Sequence, residues 1–339
     1  MLDDGSSGGA SMSFVIINPN DLAVAVAGLE RTADGMDELG ANAAPPTQGV
    51  VPPGKDCVSI EVAERLVAHA QRCQQVISRA SNTLLRFADH LKFSAAAYSA
   101  AEADNTQALG GLAEGDTSTA NVYTRDTSHY QTERTRTNTA GPYAPDDHVK
   151  YYDKYCKLAP EINSDNIYNG SGPASLDDAT GAWKSLWFLM ASRFQRCEKV
   201  LTELQAKWSG PAATQMAEAA AKFRDWMYTF YEQLNCTHRQ VENISFTFRR
   251  TCRIMTSPND IAENRRKAKE AAESCDLGAA QRKAQLEAEY QEFCIRNITA
   301  MQFYDRTTDS LLAALPSWEE PPLPPNTPLS VGPRSQTAR

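Results

Sequence analysis

The chain has 339 residues, a formal net charge of −8 and a sequence pI of about 5.3. It is long enough to bury a sizeable core, as two domains or one elongated helical body, and it lacks the globally basic surface that nucleic-acid binding requires. Its apolar runs are far shorter than the roughly 20 residues a spanning helix needs.

Residues 1–11, Met1-Leu-Asp-Asp-Gly-Ser-Ser-Gly-Gly-Ala-Ser11, read as a flexible N-terminus or tag remnant. They are acidic, the opposite of the basic and then apolar layout of a signal peptide, so any export is expected to proceed without a cleaved leader. Asn18-Pro19 marks a helix entry, and Leu22, Val26, Leu29, Ala33, Met36 and Gly40 line one face of a helix expected over 19–44. Pro45-Pro46 and Pro52-Pro53-Gly54 break it. A longer helix is expected from Ser59 to Ala103, with Leu66, Ala70, Cys73, Ile77, Ala80, Leu84, Phe87, Leu91 and Tyr98 on its seam. The two helices make an antiparallel hairpin with too little core to stand alone.

Between 106 and 174 the composition turns to Thr, Ser, Asn, Asp and Gly, and the apolar period is lost. This segment reads as a polar flexible linker, with a short docking helix expected around Tyr151–Leu158. Trp183, Trp187, Met190, Phe194, Cys197, Leu201, Leu204 and Trp208 then alternate in steps of 4 and 3, a coiled-coil-like seam. After Trp208-Ser-Gly210-Pro211 the pattern resumes through Met216, Ala220, Phe223, Met227, Phe230, Leu234, Thr237, Val241, Ile244 and Phe248. Gly210 and Pro211 suit a tight bend between two helices, giving a second hairpin whose apolar face complements the first. A charged helix over 259–275 and a last helix over 279–314 follow. The proline-rich stretch 316–339 reads as a disordered tail. The fold class is therefore all-α: an elongated four-helix bundle of two hairpins with additional C-terminal helices.

The sequence offers little for catalysis or metal binding. The five histidines form no His-x-x-x-His pair, and the eight cysteines form no Cys-x-x-Cys. Cys236 and His238 sit at i and i+2 of a helix and point apart. No glycine-rich phosphate loop follows a strand. No enzyme activity, metal or cofactor is expected. The cysteines are either small buried hydrophobes or, in an oxidising compartment, disulfide partners.

Residues 12–105 resemble the PE domain of mycobacterial secreted proteins. The resemblance rests on Met12-Ser-Phe-Val15, Pro19 with Leu22, Ala41-Asn42-Ala-Ala44, Val50-Val-Pro-Pro53, Val58-Ser59, His69-Ala70, and Tyr98 with Glu102 and Asn105. The Pro-Glu pair of that family is Pro19-Asn20 here. Residues 175–315 resemble its PPE partner through Trp208-Ser-Gly210-Pro-Ala-Ala and Met216, without the Pro-Pro-Glu signature. Both in one polypeptide is similar to the EspB-like substrates of the type VII (ESX) secretion system.

The resemblance implies a composite export signal made of Tyr98, Glu102, Trp208 and Gly210, read by the type VII secretion machinery at one end of the bundle. Tyr98 and Glu102 at i and i+4 share a helix face; the alternative is that Tyr98 and Trp208 are core aromatics. It also implies a secreted or cell-surface protein that self-assembles as a homo-oligomer, or a virulence effector that binds acidic phospholipid or a host protein. Arg265, Arg266, Lys267 and Lys269 are the candidate lipid head-group contacts, or else one solvated helix face.

Overall fold

The computed structural model describes residues 18–110 and 155–323, and their regular structure is entirely α-helical. Helix α1 (Pro19–Gln48) opens with the Asn18 carboxamide oxygen accepting from the Asn20 amide at 2.9 Å, and with proline in the first turn. It does not stop ahead of Pro45-Pro46 but runs through both prolines. Thr47 Oγ1 donates to the Ala43 carbonyl at 2.7 Å and the Gly49 amide to Pro45 at 2.9 Å. The two carbonyls the prolines cannot serve belong to Ala41 and Asn42, which are exposed and open to water.

Helix α2 (Cys57–Gly110) is the longest element, at 54 residues about 80 Å from end to end. Asp56 caps it, accepting from the Ser59 amide at 2.9 Å and the Ser59 hydroxyl at 2.6 Å. That hydroxyl has one proton, so the Tyr304 hydroxyl, 3.2 Å away, donates to Ser59 Oγ. Burial raises the Asp56 carboxyl above its ordinary range.

Helix α3 (Pro160–Tyr168) lies within the polar 106–174 segment, past the one short helix that the sequence predicts there. Its surroundings are held by backbone: Lys55 donates to the Asn166 carbonyl at 2.6 Å and Gly172 to Pro53 at 2.9 Å. The approach is so close that a Cβ on Gly170 would lie 2.1 Å from the Pro53 oxygen. The docking element expected at 151–158 is seen in part: Tyr155 is buried and donates to Asp305 at 2.9 Å. Tyr151 and Tyr152 lie outside the described residues, as do residues 1–11.

Helices α4 (Ala174–Lys207) and α5 (Pro211–Ile254) form the second hairpin; α6 (Pro258–Glu273) and α7 (Ala279–Ala313) follow. The α1 helix packs against both α2 and α4, and α4 against α5, so the hairpins join along the α1–α4 line. Helix α7 covers α5 and reaches α2, α3 and α6. The main core draws Leu29, Met36, Leu66, Ile77, Met190 and Phe230 from all four helices. A second cluster around Phe248, Met301 and Tyr304 fixes α7. No helix among the described residues is long and apolar enough to cross a membrane.

Glycines let α1 and α4 approach. A Cβ on Gly28 would lie 2.6 Å from Val200 Cγ2, and one on Gly35, a heptad later, 2.8 Å from Arg193 Nε. The expected disordered tail behaves differently over its first residues. Residues 314–323 lie along the bundle, with Trp318 stacked on His69 at 4.6 Å and Pro321 buried. All eight cysteines are free thiols; Cys73 and Cys197 are buried in the main core, and burial pushes the Cys197 thiol up to about 12.

Replacing Gly28 by Leu is expected to lower stability by about 1–3 kcal/mol, because the side chain must displace α4. A Cβ on Gly181 of α4, by contrast, would have no neighbouring atom within 4 Å. There Gly181→Ala is expected to raise stability by about 0.5–1 kcal/mol through helix propensity alone. Paired chemical denaturation curves check both signs.

Candidate recognition site at the Tyr98–Trp208 end

The α4 helix stops at Lys207, and Trp208 leaves it in an extended conformation, φ −120° and ψ 130°. Gly210 follows with φ 108° and ψ 177°, a region open to glycine and strained for other residues. Pro211 then starts α5, and Thr214 ties the turn back, its amide 3.1 Å and its hydroxyl 3.3 Å from the Gly210 carbonyl oxygen. This backbone path turns the Trp208 ring inward, where it is 4% exposed and part of the main core.

Helix α2 brings Tyr98 to the same place, half-buried and packed on that core. Burial raises the Tyr98 hydroxyl pKa, and the nearby Trp208 indole N–H partly offsets the rise by favouring the phenolate. The two groups face each other without completing a hydrogen bond of normal geometry: the Tyr98 hydroxyl and the Trp208 indole nitrogen are both buried and unpartnered. Such groups are costly inside a protein. Glu102 lies on α2 one turn beyond Tyr98, and its side chain falls outside the described residues. Around the site, Lys207 at the end of α4 pairs with Asp21 at the start of α1 at 2.9 Å. Lys92 on α2 bridges to Glu30 on α1 at 2.7 Å.

The α6 cations are placed differently. Arg265 stacks over Tyr290, its guanidinium carbon 3.8 Å from the ring centroid, and pairs with Glu287 at 3.1 Å. Arg266 bonds Glu263 at 2.7 Å and also Glu270, while Lys267 meets Glu263 at 3.3 Å and Lys269 meets Glu273 at 4.0 Å. The Arg266 hydrogen bonds hold the Glu263 carboxyl down to about 2. Each of the four cations thus has a carboxylate neighbour, and the face presents mixed charge. Cys236 and His238 part company as their spacing implies: the thiol points to the Ala314 carbonyl at 3.6 Å, and the ring stacks on Trp187 at 6.2 Å. Among the described residues no group of His, Cys, Asp and Glu side chains is placed to hold a metal ion.

Sequence reading missed the aromatic layer of His69, Trp183, Phe230 and Trp318. The signal was present: a tryptophan is out of character in a proline-rich tail.

The PE family model matches residues 15–105 and the PPE family model residues 154–316. Among curated proteins of Mycobacterium tuberculosis, PPE family protein PPE41 is 31% identical over 164 residues, covering 48% of this chain and 84% of PPE41. PPE family protein PPE57 is 29% identical over 163 residues, 48% of this chain and 93% of that protein. A protein named transporter PPE51 is 33% identical over 170 residues, 50% of this chain and 44% of its own. Among solved structures, EspB from the ESX-1 type VII secretion system shares the fold, with a TM-score of 0.56 at 14% identity, over 91% of this chain and 96% of that one. The chain belongs to the PPE family and carries a PE domain ahead of its PPE domain in a single polypeptide.

Proposed function

We propose that this protein is a substrate of a type VII (ESX) secretion system, exported to the cell surface or beyond, and that the machinery reads the end of the bundle where Tyr98, Glu102, Trp208 and Gly210 gather. One observation carries the reading. Residues 110 positions apart, from the PE half and the PPE half, meet with two unpartnered polar atoms facing each other. A buried hydroxyl and a buried indole are ordinarily given partners, and a receptor that engages this end would supply them. The family membership and the EspB-like fold support the same reading.

After export the rod-shaped bundle self-associates. The support is a set of exposed large aromatics on the PPE hairpin, Phe188 at 71% on α4 and Tyr228 at 69% and Phe246 at 58% on α5, which a monomer would leave in water. The competing role, an effector held to acidic phospholipid through Arg265, Arg266, Lys267 and Lys269, has weaker support because those cations are already paired. Exposed pairs are cheap to break, about 0–1 kcal/mol each, so they also exclude nothing.

Tyr98→Phe and Glu102→Gln change one polar group each and leave the packing in place. Each is expected to reduce the secreted fraction at least tenfold, with helicity by circular dichroism unchanged. Trp208→Ala is expected to abolish export, and Gly210→Ala to weaken it by straining the turn. Wild-type export of both conservative variants contradicts the reading. Light scattering of the secreted protein is expected to give a mass several times 37.2 kDa. A strict monomer that binds vesicles containing acidic phospholipid would favour the effector role instead.

A further inference from the structure

The segment after α7 is bonded to both halves of the molecule. On the PE side, the Trp318 indole donates to the His69 carbonyl at 3.0 Å and Arg79 pairs with Glu320. On the PPE side, the Trp226 indole donates to the Glu319 carbonyl at 2.9 Å. Gln233 both donates to the Ser317 carbonyl at 2.8 Å and accepts from the Glu319 amide at 3.3 Å, a two-way bond to an extended backbone. Trp318 fills the seam itself. Its ring lies 4.6 Å from His69, 5.5 Å from Phe230 and 6.0 Å from Trp183, so α2, α4 and α5 all contribute to its seat. Pro322 and Leu323 roof an apolar cleft lined by Phe87, Leu201 and Phe223.

We propose that the α2–α5 seam is a peptide-binding groove, that residues 314–323 are its intramolecular ligand, and that this ligand acts as a clasp fastening the PE half to the PPE half with His69 as its acid-sensitive seat. Proline at 316, 321 and 322 suits the role, because an extended backbone fixed in advance loses little entropy on docking.

The tautomer of His69 follows from the bonds around it. Thr237 spends its only proton on the Gln233 carbonyl at 2.9 Å. His69 Nε2, 3.0 Å from Thr237 Oγ1, must therefore be the donor, and the neutral ring suffices. Around the ring stand Trp183 from α4, Thr237 from α5 and Trp318 from the clasp. The charge that acts on it is Arg72, on its own helix, and no carboxylate offsets it. Burial first, and then Arg72, lower the His69 pKa to about 4 from 6.5. The closed clasp therefore holds full strength above pH 6.5 and loses it as the pH falls toward about 4. Linkage shifts the closed-to-open ratio about thirtyfold toward open between pH 7.5 and pH 5, if His69 regains its ordinary pKa on opening.

The test is hydrogen exchange of the Trp318 indole N–H in the full chain, followed by NMR and corrected for the intrinsic pH dependence of exchange. Its protection factor reads the clasp opening equilibrium directly. Protection is expected at pH 7.5, falling about thirtyfold by pH 5 while core amides of α4 keep theirs, and His69→Gln is expected to cut that fall to under threefold. Trp226→Phe, which removes the bond to Glu319 together with one ring of the buried indole, is expected to lower Trp318 protection several-fold at pH 7.5 with helicity unchanged. An unprotected indole at pH 7.5 overturns the clasp. Protection equal to that of the α4 core in both the wild-type and Trp226→Phe chains overturns it as a separately opening element. An undiminished pH response in His69→Gln overturns the assignment of the sensor.

Discussion

The packing of α1 on α4 is the contact on which the rest of the molecule depends. Each hairpin carries one apolar face, and neither face is covered within its own hairpin. The faces meet because α1 presents Gly28 and Gly35, one heptad apart, to Val200 and Arg193, themselves seven residues apart on α4. A side chain at Gly28 would press on the short, branched Val200 and push the helices apart, whereas one at Gly35 would first displace the flexible Arg193 side chain. At the same end Lys207 pairs with Asp21 across the α1–α4 line and Lys92 with Glu30 within the first hairpin, exposed ion pairs that add little to stability.

Two structural features then follow from one geometry. At one end, the joined hairpins bring Tyr98 beside Trp208 through a turn that is relaxed for Gly210 and strained for other residues. Farther along, the seam between α2 and α5, which α1 and α4 do not fill, is closed by α7 and by the segment beyond it. Buried polar groups mark these joints. Asn297 accepts from the Thr256 amide at 2.8 Å and donates to the Pro160 carbonyl at 3.0 Å, so a polar residue in the stripe of α7 holds the α5–α6 turn and α3 together.

Much of this was legible in the sequence. The alternating 3-4 spacing placed the residues of α1, α4 and α5 on their buried faces, because burial of one stripe leaves a periodic trace. Trp208-Ser-Gly210-Pro211 gave the bend, since its chemistry is local. Three features left no such trace. The run of α1 through Pro45-Pro46 depends on solvent reaching two carbonyls. Helix α3 depends on backbone bonds to the 51–55 loop. The seating of Trp318 depends on a groove assembled from three distant helices. The pairing of Arg265 was likewise hidden, because Glu287 comes from the next helix, whereas Arg266, Lys267 and Lys269 find Glu263, Glu270 and Glu273 at the local spacings of α6 itself.

The PE and PPE hairpins pack as one body, and the Tyr98–Trp208 end exists only in it. The direct measurement is native-state hydrogen exchange by mass spectrometry through a denaturant series, comparing residues 18–100 with residues 174–254. The most protected amides of both segments are expected to merge into one opening with the same free energy and the same denaturant dependence. An α1–α2 hairpin that opens at lower denaturant while α4 and α5 stay protected would contradict it.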